Sequence, residues 1–289
     1  MDIVERLSDL RSHSGEILCV LAEREDDELT VEATRTLGLH LPPPDPRGYR
    51  HPSAHVKDGQ VGLVLMVLTE DREQSPLHLY ANDRGLVALG TADARRVVAE
   101  ALSEPPGDTL TAVVEVVMAV ARRCEEALDQ IEDDSQELQA AATGYTSSPQ
   151  RRTMGRLRAE LFRIGETQAA QRNLLSLDEE LAQTVGREHQ RLIARAATAF
   201  GANHSMTTRL YAMLGDVLNE QDSVVSERLT LVATIFLPLT LVTGFFGMNF
   251  QWMVDGLGTL PAFLVLGLLF PAAMTVATLL LVRRLTRSA

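Results

Sequence analysis

The chain has 289 residues, 45% of them hydrophobic, and a mean hydropathy near zero that averages two unlike parts. Leu229 to Val282 is a run of 54 residues with one charged side chain, Asp255, whereas residues 1 to 228 hold 38 acids and 24 bases, a net charge of −14. So acidic a front part repels nucleic acid and attracts cations, which excludes a nucleic-acid partner.

Cys19 and Cys124 stand far apart, without CxxC or metal-ligand spacing, so reduced cytoplasmic thiols are expected and neither a disulfide scaffold nor a zinc site is. The opening MDIVERLSDLRSH is charged throughout and lacks the apolar core of a secretory signal, which leaves membrane insertion to the C-terminal segments. From Gly15 to about residue 90, the strand-like runs EILCVLA, QVGLVLMVLTE and GLVALG alternate with the turn signals PPPDPRG and ANDRG. A cytoplasmic α/β domain over 1–107 is expected, closing with the helix ADARRVVAEAL before Pro105, Pro106 and Gly107 punctuate the chain.

Beyond that point the text is helical, and the 88 residues between Pro149 and Pro238 contain no proline. A cytoplasmic hairpin over 108–185 is expected, its antiparallel arms at 109–141 and 150–176 divided by TGYTSSP. A third helix begins between Gly186 and His204 and meets no stop signal. It reads as a stalk over 186–228 continuous with the first apolar span, about 60 residues or roughly 90 Å in all. Met206, Leu210, Met213, Val217 and Val224 recur at four-three spacing, broken by Glu220 and Gln221, a seam suited to packing against copies of itself.

Two apolar segments follow, LTLVATIFLPLTLVTGFF from Leu229 to Phe246 and LPAFLVLGLLFPAAMTVATLLLV from Leu260 to Val282. Each is long enough to cross a hydrocarbon core of roughly 30 Å. Pro238 and Pro271 lie inside them, which membrane bundles tolerate. Transmembrane helices are expected over 229–248 and 260–282, joined by an outer loop over 249–259. Arg228 precedes the first span, Arg283, Arg284 and Arg287 fill the basic tail over 283–289, and the loop has neither Lys nor Arg. That asymmetry places both termini in the cytoplasm of a multi-pass protein of the plasma or inner membrane, with Trp252 at the outer interface.

Few residues suggest chemistry. HPSAH sets His51 and His55 at a helical ligand spacing, but Pro52 opposes a helix there. His204 in GANHSM has no neighbouring ligand and reads as a surface or inter-helix residue. With no GxSxG, Walker loop, HExxH or dinucleotide fingerprint, an enzyme is not expected. The acidic run EEALDQIEDDSQE reads first as the solvated face of a helix. Its second reading is a cation sensor in which Asp129, Glu132, Asp133 and Asp134 hold Mg²⁺ through retained water. In the first span Ser223, Ser226, Thr230 and Thr234 fall within one narrow arc, which continues through Leu237, Leu241, Gly244 and Met248. Hydroxyl bonding to the preceding turn is the ordinary account of such residues. The other is a pore wall.

The segment FLPLTLVTGFFGMNF, preceded by RLTLVATI and followed by a second span and a basic tail, resembles the CorA family of divalent-cation transporters. That family's signature is Gly-Met-Asn after the first span, and Gly247, Met248 and Asn249 match it. The resemblance implies a homopentameric channel in the lipid bilayer, with five first spans around the pore and the second spans facing lipid. It implies a pore lined by Ser223, Ser226, Leu229, Thr230, Thr234, Leu237, Thr240, Leu241 and Gly244, and a filter of Gly247, Met248 and Asn249. Five Asn249 amide carbonyls, with Gly247 backbone carbonyls, would accept from the waters of an incoming hydrated Mg²⁺, neutral and weak enough for release. Mg²⁺ is then both substrate and regulatory ligand. By neutralising repulsion between acidic cytoplasmic parts it would close the channel.

The chain also departs from the family pattern. Met253, Val254 and Asp255 stand where the loop often reads Met-Pro-Glu, leaving Asp255 as the cation-attracting acid of the outer loop. Ser223 and Ser226 stand where the inner neck usually has Asn and Met. Transport of Zn²⁺, Co²⁺ or Ni²⁺ is the alternative within the class. A non-conducting membrane-anchored sensor or scaffold is the alternative outside it.

Overall fold

The computed structural model describes residues 1–12, 18–42, 51–104, 106–141, 148–177, 187–248 and 259–287. They form two compact units, Met1–Gly215 and Asp216–Ala289.

The first unit is built on a six-stranded sheet: β1 (Asp2–Val4), β2 (Leu18–Ala22), β3 (Ser53–Lys57), β4 (Gln60–Leu68), β5 (Gln74–Ala81) and β6 (Gly85–Gly90), in the spatial order β1-β2-β6-β5-β4-β3. β1, β2 and β6 run parallel, and β6 to β3 form an antiparallel meander. LCVLA in β2 is buried at every position, as a strand covered on both faces must be. Alternate residues divide between two cores. Val4, Val20, Val87 and Tyr80 face α1 (Leu7–Ser12) and α2 (Glu28–Leu37), while Cys19, Leu21, Leu63, Leu65, Leu86 and Ala88 face the helices that follow in sequence.

β3 and β4 are joined by Asp58 and Gly59 with φ of 52° and 76°, the two left-handed residues that a type I′ hairpin turn demands. β5 carries Pro76 opposite Met66, whose own amide bonds elsewhere. Beyond the end of β3 the edge of β4 is bare, and α5 (Ser148–Leu177) covers it: the Met66 N–H donates to Oε1 of Gln171 at 2.7 Å. An uncovered edge invites pairing with another chain, and a fully buried glutamine closes this one.

α3 (Ala92–Ala101) and α4 (Thr109–Ala141) cover the second face of the sheet with Ala94, Val97, Val98, Val113, Val116 and Val120. Ala196 and Phe200 of α6 (Arg187–Phe246) join the same core. Helices and sheet therefore share one interior. α4, α5 and the first part of α6 also form a three-helix bundle with a three-four repeat. The buried positions are Cys124, Leu128, Ile131 and Ser135 on α4, Met154, Leu157, Leu161, Ile164 and Gln168 on α5, and Ala196, Phe200, Asn203, Thr207, Leu210 and Leu214 on α6.

Rising positions on α4 and α6 meet together, Ala121 with Asn203 and Glu132 with Arg209, so these helices run parallel. Gly165 meets His204 while the earlier Phe162 meets Tyr211, so α5 runs against them. This corrects the expected self-association seam. Leu210 and Val217 are 1% and 7% exposed within a single chain, spent on its own interior, and Met206, Met213 and Val224 are half-buried.

A polar layer crosses the bundle. Asn203, 4% exposed, donates from Nδ2 to the Ala121 carbonyl at 2.9 Å and lies 3.5 Å from Oε1 of Gln168, itself 1% exposed. His204 donates from Nδ1 to the Gly165 carbonyl at 3.0 Å, an inter-helix contact. At the start of α4, Asp108 caps the helix by accepting from the Thr111 N–H at 2.6 Å, and its carboxylate also meets Nε2 of His189 in the first turn of α6 at 3.2 Å. Burial alone would raise the Asp108 pKa, but the Thr111 bonds and the His189 ring hold it below the ordinary value.

The second unit holds the remainder of α6, closed by a turn at Gly247 and Met248, then α7 (Leu260–Ala262), a π-helical segment (Phe263–Leu269) and α8 (Phe270–Arg287). Two helices here are long and apolar enough to cross a membrane, and their apolar stretches are almost wholly uncovered by protein. The π segment has a local cause. Pro271 has no amide to give the Gly267 carbonyl, and the Phe270 N–H reaches back five residues to Val265.

Candidate functional site

The expected wall lies on α6. From Ser223 to Met248 the chain is regular helix followed by the closing turn, so the arc of Ser223, Ser226, Thr230, Thr234, Leu237, Leu241, Gly244 and Met248 is one continuous stripe. Leu229 and Thr240, grouped with it by resemblance, stand about 80–100° round the helix on the adjoining face. Along the stripe Leu237 is 76% exposed and Leu241 71%. Leucines so bare lie either against lipid or against other copies of the helix.

The threonine hydroxyls here are not free donors. Thr230 donates to the Ser226 carbonyl at 2.8 Å, Thr234 to Thr230 at 2.7 Å and Thr240 to Phe236 at 2.8 Å. The ordinary account of these threonines thus describes the lone chain. It also has a consequence for ions. A hydroxyl whose proton is held by its own backbone turns only lone pairs outward, so the stripe offers acceptors, which suit the hydrogens of water around a cation.

At the end of the span the Gly247 N–H donates to the Thr243 carbonyl at 2.9 Å and the Met248 N–H to Phe245 at 3.3 Å. A Cβ on Gly247 would stand 3.1 Å from the Thr243 oxygen, so the close winding favours glycine. Asn249 and Asp255 lie outside the described residues.

The acidic run on α4 does not gather into one site. Asp134 is held by Arg72 at 2.8 Å and Glu132 by Arg209 at 3.6 Å, while Asp129 and Asp133 point into solvent one turn apart. Among the described residues no group of three or more His, Cys, Asp or Glu side chains is arranged to hold a metal. His51 and His55 are likewise separated. His55 is in strand β3 with its ring over Gly62, and His51 precedes the strand, so the two do not share a helical face. Sequence reading missed the Asp108–His189 link and the Asn203–Gln168 layer. The first had a local signal in the helix-capping spacing of Asp108 and Thr111, and the second had none.

A mixed sheet roofed by a helical bundle, whose last helix runs on as the first of two bare apolar helices, defines a membrane protein with a large α/β and helical N-terminal part. The model of the CorA-like Mg²⁺ transporter protein family matches residues 47–284, and the chain belongs to that family. Its members are divalent-cation transporters rather than enzymes. Among solved structures, the complete CorA magnesium transporter from Methanocaldococcus jannaschii is similar at TM-score 0.68 and 14% identity, covering 91% of this chain and 88% of that one. Its soluble domain is similar at TM-score 0.57 and 12% identity, covering 67% and 82%. The full-length CmaX protein is similar at TM-score 0.55 and 16% identity, covering 91% and 83%. At these identities the likeness is one of fold. Among curated proteins none matches the chain in sequence.

Proposed function

We propose that this chain forms a homopentameric channel for Mg²⁺ influx, with the α6 stripe as pore wall and Gly247, Met248 and Asn249 as the outer filter. The observation that carries the reading is the stripe itself: the backbone-bonded hydroxyls of Thr230 and Thr234, which turn lone pairs outward, and the bare Leu237 and Leu241 after them on the same face of one helix. One helix encloses nothing, so the stripe needs copies of itself to become a lumen. In this arrangement residues 1–107 and 108–185 stand in the cytoplasm, 186–228 forms the stalk, 249–259 the outer loop, and 283–289 returns to the cytoplasmic side of the plasma or inner membrane.

A divalent ion entering down a potential of 100 mV gains about 4.6 kcal/mol, so no coupled energy source is required. Asp255 supplies negative charge at the mouth. Asp129 and Asp133 remain free to meet cytoplasmic Mg²⁺ through water, whereas Glu132 and Asp134 must first leave their arginines.

The test is ion flux into liposomes that contain only this protein, with Mg²⁺, Zn²⁺ and Co²⁺ in turn. Mg²⁺ entry that disappears in Asn249→Ala, with the assembly retained, is expected. Absence of all divalent flux from the assembled parent would refute the channel.

A further inference from the structure

One long surface of the first unit is unlike the rest of this acidic chain. Where α5 crosses α6, long side chains of α5 lie flat on α6 at a constant antiparallel register. Cδ of Arg172 comes within 3.3 Å of where a Gly201 Cβ would stand, and Nη2 of Arg158 within 3.3 Å of that of Gly215, fourteen residues further on each helix. Between them Phe162 meets Tyr211, and the Arg158 guanidinium sits 4.3 Å above the Tyr211 ring. Phe162 is 58% exposed and Tyr211 37%. Around Arg172 opens a groove of about 780 Å³ lined by Ser176, Ala194, Thr198, Gly201 and Ser205 among others, with no acid among the described residues that line it. Neither Arg158 nor Arg172 pairs with a carboxylate among the described residues. Among its described residues a protein of net charge −12 thus keeps two guanidiniums without a carboxylate partner and two exposed aromatic rings on one face. Arg, Tyr and Phe are the residues that interfaces favour.

The complementary surface lies on α4. Its bundle side is Cys124, Leu128, Ile131 and Ser135, and the exposed Glu126, Asp129, Asp133 and Glu137 fall on another face within an arc of about 80°. Among the described residues, Glu126 is the one of these four that pairs with an arginine, Arg123 at 3.6 Å. The acidic stripe is roughly 17 Å long and the two arginines stand roughly 21 Å apart along α5.

We propose that the α5–α6 groove receives the acidic outer face of α4 from a second copy of this chain. The two surfaces are different parts of one protomer, so the contact is head-to-tail and repeats around a closed ring, which an odd-numbered assembly requires and a self-complementary patch cannot supply alone. The inference rests on the pentameric reading above and names the surfaces that would build it.

The test uses the full chain in detergent or native lipid. Arg172→Glu alone and Asp129→Arg with Asp133→Arg should each raise the protein concentration needed for assembly on the order of tenfold or more, because like charges then face each other. The combination of all three substitutions should restore the parental mass. A second measurement keeps the natural charges: Gln130→Cys with Thr198→Cys, oxidised in the membrane, should give an inter-subunit disulfide. Cys19 and Cys124 do not compete, being buried with thiols pushed up to about 12 by desolvation. Reversals that leave the mass unchanged, a combination that fails to restore it, or no disulfide would overturn the proposal. Should a reversal lose its helical circular dichroism, the disulfide decides. A parent that is itself monomeric would instead refute the pore reading.

Discussion

Replacing Asn203 by leucine isolates what the polar layer contributes to holding α6 in the bundle. The substitution keeps a side chain of similar length but removes the Nδ2 donor, 2.9 Å from the Ala121 carbonyl and 3.5 Å from Oε1 of Gln168. Ala121 still has its helical bonding, whereas the Gln168 amide, 1% exposed, then faces an alkyl group. Leaving such a group short of a partner costs about 1–3 kcal/mol. At about 2 kcal/mol, a folded unit of roughly 200 residues should lose roughly 4–8 °C of Tm. Replacing both partners removes the stranded amide, so Asn203→Leu with Gln168→Leu should return to the parental Tm or exceed it. The double variant should also melt less sharply, because a buried polar pair helps to fix the register of packed helices. Thermal unfolding of the full chain in detergent, followed by helical circular dichroism, measures both effects. A single variant as stable as the parent, or a double variant less stable than either single, would refute the reasoning.

Gly85→Ala would place a Cβ 2.4 Å from the Leu18 carbonyl oxygen inside the β2–β6 ladder, where backbone cannot give, and should cost roughly 3 kcal/mol or more. Gly62→Ala first meets the side chain of His55 on the edge strand, and the smaller stability loss, about 1 kcal/mol, should separate the two. For Asp108 the folded pKa lies below the ordinary 3.8, so its contribution is present above that value and is lost as pH falls through the folded pKa. Asp108→Asn keeps a capping side chain, so its stability deficit against the parent should be full at neutral pH and should close below about pH 4 in urea titrations. In flux assays Leu237→Ser should raise Mg²⁺ entry by thinning the apolar barrier, and Ser226→Met should slow it by adding to that barrier. Equal flux from both variants and the parent at matched protein density would put the gate elsewhere.

The long helices were legible because three-four spacing ran without proline. α4 spans Thr109–Ala141, where a helix over about 109–141 was expected, whereas the start of α6, left open between Gly186 and His204, falls at Arg187. β2, β4 and β6 announced themselves as apolar runs. β5 did not, since Pro76 and His78 interrupt it, although Pro76 sits where β4 asks for no bond. β3 was hidden by its polar edge residues, and the sign that betrays it is the Asp58–Gly59 turn. β1, α1 and α2 were too short, or too dependent on the sheet beneath them, to be read locally. At the candidate site the helical period alone was enough to draw the stripe. The acidic run was not readable in the same way, because Arg72 and Arg209 reach Asp134 and Glu132 from far along the chain.

The π segment gives the second span two phases. In regular α-helix each residue turns the chain by about 100°, and a wide turn accommodates one residue more than the α count. The apolar faces of Leu260–Ala262 and of Phe270 onward are therefore offset by a fraction of a turn that the sequence period does not show. Pro271 holds that offset in place by withholding one amide. A chain with alanine there could close the ordinary ladder, and the first half of the helix would then rotate by about a quarter turn against the second. Which side of Leu260 and Leu264 meets lipid is thus decided by a proline up to eleven residues downstream.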